Sequence, residues 1–248
     1  MEADAGMSDL CLSLPLALFA QGLRKRLGST TAVDGVDLTV RSGEVIGLLG
    51  ANGAGKTTLL HLIAGVLSPD AGTIAIAGAS DPTKPHVRRA LGFAPQATAV
   101  YDELTAVENL HFFGSVQGLS RAKLKLRVEH GLAFAGLLDR RDDRVGTFSG
   151  GLKRRLHVAC ALVHSPALLL LDEPTVGVDA ASRGHLLDGV AALRNEGCAV
   201  IYASHHLDEV ARVCDRVVVL SHGRVIAEDR LDNIDLDLEA LLRTEAHT

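Results

Sequence analysis

A glycine-rich run that ends in a lysine and a threonine has the clearest chemical meaning in this sequence. Residues 50–57 read Gly-Ala-Asn-Gly-Ala-Gly-Lys-Thr, after the apolar stretch Val45–Leu49 and before a predicted helix at residues 59–67. Glycines let such a loop wrap so that backbone N–H groups point at phosphate oxygens, at the positive end of a helix. The lysine is placed to reach the outer phosphates of a nucleotide, and the threonine to ligate magnesium. The residues predicted to bind nucleotide here are Gly50, Ala51, Asn52, Gly53, Ala54, Gly55, Lys56, Thr57 and Thr58.

A second signal is an apolar run that ends in two acids. Residues 167–171 contain no polar side chain, and Asp172 and Glu173 follow them. By itself this ending also fits a strand that stops in polar residues at the edge of a sheet. With a phosphate loop upstream, Asp172 is predicted to hold the magnesium shell and Glu173 to polarise the attacking water. The two elements together predict a nucleotide hydrolase without indicating which kind.

A third segment, residues 148–155, reads Phe-Ser-Gly-Gly-Leu-Lys-Arg-Arg at the start of a predicted helix. The Ser149 hydroxyl and the N–H groups of Gly150 and Gly151 form a second anion site at a helix N-terminus. By itself Ser149 also fits a simple N-cap before a Gly-Gly turn. The segment resembles the signature sequence of ABC ATPases, in which Leu-Ser-Gly-Gly-Gln is the commonest form. That resemblance implies two ATPase domains packed head to tail, with the Ser149 loop closing over the γ-phosphate held by the other subunit.

Further positions match the same family in order and spacing. Gln96 is similar to the family glutamine that senses magnesium and water and whose loop touches a membrane partner. Asp179 is similar to the aspartate that crosses the dimer interface, and His205 to the switch histidine that contacts the γ-phosphate. The resemblance thus implies Glu173 and His205 as catalytic residues and Thr57, Gln96 and Asp172 as magnesium ligands. It also implies that Gln96 binds ATP together with residues 50–58. It extends from about residue 16 to residue 226.

Several stretches look most like the branch of the family that includes drug, polysaccharide and haem export ATPases. These are residues 106–114, 145–155 and 172–179, together with the short acidic and apolar ending at 237–239. The chain departs from the family at Leu27, where an aromatic residue usually stacks on adenine, a loss of roughly 1 to 3 kcal/mol by analogy with nucleic-acid platforms. Phe148 and Leu152 replace the usual signature residues, at positions where related sequences vary.

Short β-branched runs that alternate with helical patterns predict an α/β fold with a largely parallel sheet covered on both faces. The predicted strands are residues 16–20, 45–49, 73–77, 91–94, 167–171, 199–203 and 217–220, with 167–171 in the centre because it is entirely apolar. Between residues 97 and 165 helical signals replace strand signals: a capping box at Thr105 and Glu108, a helix from Ser120 towards Gly136, and one capped by Ser149.

The fold class predicted with the resemblance is a P-loop NTPase core with a mostly parallel sheet, an N-terminal antiparallel β region and an inserted α-helical subdomain. The chain is interpreted as one ABC ATPase domain over residues 1–248. Its β core is expected at residues 16–96 and 166–228, its helical subdomain at 97–165, and a short tail at 229–248.

The composition of the chain limits which classes of molecule it is expected to bind. The 248 residues are 47% hydrophobic and carry a formal net charge of -5, which argues against direct nucleic-acid binding. The basic runs at residues 24–26 and 153–155 are therefore interpreted as solvated faces or motif positions. The four cysteines are scattered without metal-ligand spacing, as in reduced cytosolic proteins. No apolar run reaches the roughly 18 residues that cross a bilayer, so any membrane role requires a partner.

The resulting interpretation is an ATP-binding and ATP-hydrolysing subunit of an ABC transporter, and export is the expected direction. It implies ATP and Mg²⁺ as cofactors, a second ATPase subunit that is identical or paralogous, and a separate transmembrane permease. The expected location is cytoplasmic, on the inner face of the cell membrane. Two alternatives remain open: a soluble ABC-type ATPase acting on ribosomes or DNA, and a regulator that binds nucleotide without hydrolysis. In this interpretation the transported molecules touch the permease, so the nucleotide-binding motifs do not encode the cargo.

Overall fold

A computed structural model describes residues 15–231 of the chain. In chain order its strands are β1 (Leu16–Leu27), β2 (Thr30–Arg41), β3 (Val45–Leu49), β4 (Ala71–Ile76), β5 (Ala79–Ser80), β6 (Leu91–Ala94), β7 (Leu168–Asp172), β8 (Ala199–Ser204), β9 (Arg216–Ser221) and β10 (Arg224–Arg230). Its α-helices are α1 (Lys56–Ile63), α2 (Pro85–Arg88), α3 (Ala106–Val116), α4 (Arg121–Ala135), α5 (Gly150–Leu162), α6 (Ala180–Leu193) and α7 (Leu207–Val213). The predicted ending at 237–239 lies outside the described residues.

The strands form two sheets. The smaller sheet has the order β2-β1-β4-β5, and all its pairings are antiparallel. The larger sheet has the order β10-β9-β3-β8-β7-β6, in which five strands run parallel and only β10 pairs antiparallel with its neighbour. The predicted fold class, a mostly parallel core with an antiparallel β region, is confirmed.

Alternation along the parallel strands divides the core into two apolar layers. One face of the larger sheet, with Ile46, Leu170 and Ile201, packs with α1 against the inner face of the smaller sheet. The opposite face, with Leu171 and Val200, packs against α5, α6 and α7. Every residue of β3 and β7 is buried, as expected for parallel strands covered on both sides.

The helices α3, α4 and α5 enclose a third apolar cluster of their own. The predicted capping box is present: the Thr105 hydroxyl accepts from the N–H of Glu108, whose carboxylate accepts from the N–H of Thr105. Ser149 caps α5 through its hydroxyl, as predicted. Ser120 precedes α4 without a side-chain cap bond, so the predicted cap is wrong there, whereas the predicted helix is confirmed and ends at its C-cap, Gly136.

Four expectations need correction in detail. The run at 73–77 lies in the antiparallel sheet, because β4 pairs with β1 rather than with a core strand. The run at 167–171 is interior but second from the edge, since short β6 pairs on its outer side. The first helix begins at Lys56 and ends at Ile63 rather than extending to residue 67. The strand beginning at Leu16 continues to Leu27, well beyond residue 20.

None of the helices in residues 15–231 combines the length and the apolar character needed to cross a bilayer.

Helix α7 packs directly over β3, the strand that leads into the glycine-rich loop. A Cβ atom added to Gly47 would lie 2.3 Å from Cγ1 of Val210 and 3.3 Å from Sγ of Cys214. Valine in a helix has one strongly preferred rotamer, so it cannot move aside easily. Glycine at position 47 therefore permits the close approach of helix and strand.

We expect Gly47→Ala to lower the free energy of unfolding by about 1–3 kcal/mol, because the added methyl group overpacks this contact. Urea unfolding of Gly47→Ala, Val210→Ala and the double variant checks the cause. The double variant should be more stable than the sum of the two single effects predicts, since Val210→Ala makes room for the methyl group. Strictly additive effects would contradict the assigned contact.

Candidate functional site

The glycine-rich loop joins β3 to α1 and depends on backbone conformations that favour glycine. Gly55 is the N-cap of α1 with φ of 106°, and a Cβ atom there would lie 2.3 Å from the Ala32 carbonyl oxygen. Lys56 begins the helix and is 6% exposed. Its ammonium group donates to the carbonyl oxygens of Gly50 and Ala51, at 2.6 Å and 3.2 Å. The loop therefore curls around its own lysine.

The end of β7 meets this loop at Asp172 and Thr57. The Thr57 hydroxyl donates to Oδ2 of Asp172 at 2.9 Å, and Asp172 is 1% exposed. Its other oxygen, Oδ1, is buried and has no hydrogen-bond partner within the described residues. Burial raises the pKa of Asp172, the Thr57 hydrogen bond opposes that shift, and the neighbouring Glu173 carboxylate adds to it. A buried, unpartnered carboxylate oxygen beside a hydroxyl is a donor set suited to a hard divalent cation.

Glu173 is held in an unusual conformation beside His205. Its φ is 47°, in the left-handed region that non-glycine residues rarely adopt, and its N–H donates to the Ala203 carbonyl at 3.0 Å. The Nδ1 atom of His205 lies 3.0 Å from both carboxylate oxygens of Glu173. In the tautomer with a proton on Nδ1, the imidazole donates to the carboxylate. The two residues predicted to be catalytic are thus in direct contact.

Lys56 and Glu173 form a buried pair, with Nζ 3.6 Å from Oε1. Burial lowers the pKa of Lys56, while the nearby carboxylates of Glu173 and Asp172 oppose that shift. The glycine-rich loop, the acidic strand end and the histidine therefore share one electrostatic environment.

Gln96 lines the cavity, and its loop is held by a buried arginine for which the sequence predicted no individual role. Arg154 of α5 is 7% exposed and donates to the carbonyl oxygens of Pro95 at 3.2 Å and Gln96 at 2.6 Å. The basic run at 153–155 is therefore only partly a solvated face: Lys153 pairs with Asp102 near the surface, whereas Arg154 is structural. In the run at 24–26, Arg24 pairs with Asp34 and Lys25 with Asp70.

These elements surround a cavity of about 620 Å³. Its lining residues are Leu27, Thr30, Thr31, Ala32, Ala51, Asn52, Gly53, Ala54, Gly55, Lys56, Thr57, Thr58, Gln96, Glu173, Val176, His205 and His222. Sequence reasoning missed Thr30, Thr31, Ala32, Val176 and His222. The two threonines adjoin Leu27, which was a usable signal, but nothing local marks His222, which enters from the turn between β9 and β10.

Ser149, Gly150, Gly151 and Asp179 do not line this cavity; they form a separate group. A Cβ atom on Gly151 would lie 2.4 Å from Oγ of Ser182 and 2.6 Å from Oδ2 of Asp179, so glycine is required there. Asp179 caps α6 by accepting from the N–H of Ser182 at 2.9 Å, and hydrogen bonds from Ser182 lower the pKa of this exposed carboxyl. The start of α5 and the start of α6 thus present Ser149 and Asp179 from one compact surface.

Comparison with known proteins agrees with this geometry. The family model described as "ABC transporter" matches residues 33–176. The linearmycin resistance ATP-binding protein LnrL of Bacillus subtilis is 42% identical over 213 residues, which cover 85% of this chain and 68% of that protein. The Nod factor export ATP-binding protein I of Ralstonia nicotianae is 40% identical over 214 residues, covering 86% of this chain and 67% of that protein.

The fold comparison points the same way. A solved ATP-binding subunit of an ABC transporter superposes with a TM-score of 0.80 at 31% identity, covering 92% of this chain and 94% of that chain. The expected resemblance to the exporter-associated branch is confirmed, and a soluble ATPase acting on ribosomes or DNA is not favoured. The chain therefore belongs to the ABC transporter family, as an ATP-binding subunit.

Proposed function

We propose that the 620 Å³ cavity binds ATP and hydrolyses it to power a separate export permease. The observation that carries the proposal is the contact between Glu173 and His205 at the mouth of a glycine-rich loop that holds Lys56. Loop N–H groups and the Lys56 ammonium suit the triphosphate. Exchanging the lysine's loop carbonyl partners for phosphate oxygens would replace neutral acceptors by charged ones, which bind more strongly.

Magnesium fits the donor set beside the loop. Thr57 and Asp172, which are in contact, would hold the ion together with Gln96, which lines the same cavity as Thr57. The ion would neutralise charge on the β- and γ-phosphates during transfer. Asp172 would gain a partner for its unbonded oxygen, which would offset the cost of keeping that carboxylate buried.

The two catalytic residues would act on the attacking water. Glu173 accepts a hydrogen bond from that water and polarises it, and His205 orients the Glu173 carboxylate and contacts the γ-phosphate. The left-handed backbone at Glu173 aims its carboxylate at the cavity, in the way strain is often stored at catalytic positions.

The separate surface formed by Ser149, Gly150, Gly151 and Asp179 has no role in its own subunit's cavity. We propose that it closes over the cavity of a second ATPase subunit, identical or paralogous, so that ATP is sandwiched between the two. Support comes from the solvent-exposed N-terminus of α5 at Ser149 and Gly150 and from the exposed carboxylate of Asp179. We also propose that residues 97–165 form a helical subdomain inserted into a single ATPase domain.

A groove beside the Gln96 loop suits the permease. It has a volume of about 320 Å³ and lies between α1, β6, α3 and α5, with Pro95 in its wall. Val66, 61% exposed, lies at this groove, and the rings of Tyr101, Phe112 and Phe113 cluster on α3 and the loop before it. Exposed apolar groups gathered in one place mark interaction sites.

The groove also contains polar atoms that are able to form further hydrogen bonds. The Nδ1 atoms of His157 and His164 are buried without a hydrogen-bond partner among residues 15–231. Burial lowers the pKa of His157 to about 4, so its ring is neutral near pH 7. We propose that a cytoplasmic segment of the permease docks here, which would place this protein on the inner face of the membrane. Arg154 would transmit movement of the groove to Gln96.

We expect Glu173→Gln to lower the rate of ATP hydrolysis by about 10²- to 10⁴-fold, because the amide cannot act as a base. The variant should still bind a fluorescent ATP analogue. In the presence of ATP it should form a stable dimer, which gel filtration detects. Glu103→Gln, at an exposed carboxylate outside the cavity, is the matched control and should behave as wild type. Hydrolysis by Glu173→Gln at the native rate would refute the catalytic assignment.

Asp172→Asn should separate stability from activity. Since burial raises the pKa of Asp172, this group favours folding at low pH, and that contribution is lost as the pH rises through its folded pKa. We therefore expect the neutral asparagine to raise the free energy of unfolding at pH 7 in EDTA. Activity with saturating Mg-ATP should fall by at least about tenfold as the metal shell is impaired.

Urea unfolding and an ATPase assay over a range of magnesium concentrations measure both effects of Asp172→Asn. The control is Asp139→Asn, at an exposed aspartate distant from the loop in sequence, which should change neither quantity. A variant that is less stable in EDTA, or that keeps the native magnesium dependence, would contradict the proposed metal role.

The permease groove is tested by Val66→Asp, which buries a charge in any complex formed there. We expect a multi-spanning membrane protein to co-purify with the tagged native chain from solubilised native membranes, and to be lost with Val66→Asp. Leu126→Asp is matched, because Leu126 is 59% exposed on α4 and does not line the groove. Thermal unfolding verifies that both variants fold. If the membrane protein is recovered equally with both variants, the docking site does not lie at this groove.

A further inference from the structure

Glu209 is a buried carboxylate for which the proposed chemistry has no use. It lies in the first turn of α7 and is 1% exposed. Removing an ionised carboxylate from water is costly unless other groups bond to it. The identity of those groups therefore shows what the residue holds together.

One oxygen of Glu209 collects hydroxyl groups from two separate parts of the chain. Its Oε2 accepts from the Thr175 hydroxyl at 2.7 Å and from the Tyr202 hydroxyl at 2.8 Å, and the Ser204 hydroxyl lies 3.5 Å away. Thr175 is two residues beyond Glu173, and Ser204 immediately precedes His205. Glu209 thus joins the segments that carry both catalytic side chains.

The other oxygen of Glu209 faces a third segment. Its Oε1 lies 3.6 Å from Nε of Arg183, as an ion pair without a hydrogen bond. Arg183 belongs to the first turn of α6, and its N–H donates to the carbonyl oxygen of Asp179 at 2.9 Å. The same carboxylate is therefore close to the helix that begins at Asp179.

This arrangement fits the needs of the catalytic pair. The Glu173 backbone is in a disfavoured conformation that surrounding contacts must maintain, and its carboxylate must stay 3.0 Å from His205. An ionised carboxylate accepts hydrogen bonds only, so Glu209 can orient several hydroxyl groups at once. Fixing Thr175 and Tyr202 to one atom limits relative movement between the end of β7 and the end of β8.

We infer that Glu209 is a positioning residue for ATP hydrolysis, holding the Glu173 segment against the His205 segment through Thr175 and Tyr202. The inference rests on the proposed function, because it takes Glu173 and His205 as the groups that act on water. It goes beyond that function by assigning a role to a residue that does not line the cavity.

A positioning role predicts a selective loss. Small displacements of reacting groups can lower a rate by up to about 100-fold, whereas nucleotide binding depends on the loop and helix α1. Removing the Glu209 carboxylate should therefore lower kcat much more than it changes nucleotide affinity. A residue needed only for folding would instead lower stability and the amount of active protein, with kcat per bound nucleotide unchanged.

The test compares Glu209→Ala, Glu209→Gln, Tyr202→Phe and Thr175→Val with the native chain. We expect Glu209→Ala to lower kcat roughly 10- to 100-fold, with the dissociation constant for a fluorescent ATP analogue within about threefold of native. Glu209→Gln keeps one acceptor oxygen for the hydroxyl groups and should restore part of the rate. Asp208→Asn, at the exposed neighbouring carboxylate, is the matched control and should be unaffected.

Glu209→Ala leaves two buried hydroxyl groups unpaired and can fail to fold. Tyr202→Phe and Thr175→Val then carry the test, because each removes one hydroxyl while keeping nearly the same shape. Both should lower kcat without a matching change in affinity. Native kcat in both variants, or losses of kcat that follow loss of folded protein in thermal unfolding, would overturn the inference.

The outcome is distinguishable from failure of the proposed function. If Glu173→Gln hydrolyses ATP at the native rate, the catalytic assignment itself fails. If Glu173→Gln is inactive while Tyr202→Phe and Thr175→Val are fully active, the proposed function stands and only the role of Glu209 is rejected.

Discussion

The whole site depends on the pairing of three parallel strands whose carboxyl ends meet at one edge of a sheet. Strands β3, β8 and β7 are neighbours, with Leu49 opposite Ser204 and Ala203 opposite Asp172. The residues that follow these three ends are the glycine-rich loop, His205 and Glu173. In open α/β sheets ligands bind outside the carboxyl ends of the strands. Any slip in this register would separate the phosphate loop from the groups proposed to act on the phosphate.

Around that edge the protein buries more charge than a core normally tolerates. Lys56, Asp172, Glu173 and Glu209 are all nearly inaccessible to solvent. Their hydrogen bonds and pairings make this arrangement sustainable, since an unpaired buried charge costs several kcal/mol. Because their surroundings are weakly polar, these electrostatic interactions are stronger than they would be in water. A bound triphosphate would change which of these groups pair with one another. Among these four described side chains, two carboxylate oxygens have no hydrogen bond: Oε1 of Glu209, which faces Arg183, and Oδ1 of Asp172, where the metal is proposed to bind.

Helix α5 connects the site to the proposed partners. Its apolar residues contribute both to the helical cluster and to the layer beneath the large sheet. Its first residue follows Ser149, and its Arg154 holds the Gln96 loop. One rigid element therefore reaches the proposed dimer surface, the Gln96 loop and the permease groove. Rigid-body movement of packed helices is a common means of coupling such sites.

The sequence alone determined the parts that depend on local patterns. The loop at residues 50–57, the acidic end at Asp172 and Glu173, and the capped helix at Ser149 all follow from residues adjacent in the chain, because backbone geometry and short-range hydrogen bonds dictate them. The apolar runs that were predicted as strands are strands for the same local reason, but β2, β5 and β10 were not predicted from such runs. Strand partners were not local either, since the run at 73–77 joined the antiparallel sheet. Tertiary structure alone decided that Arg154 reaches Gln96, that His222 enters the cavity, and that Glu209 gathers Thr175 and Tyr202. Most of these groups are distant in sequence from the residues that they contact, so local patterns do not reveal the contacts. Burial of a charged side chain results from packing and likewise has no signature in the neighbouring sequence.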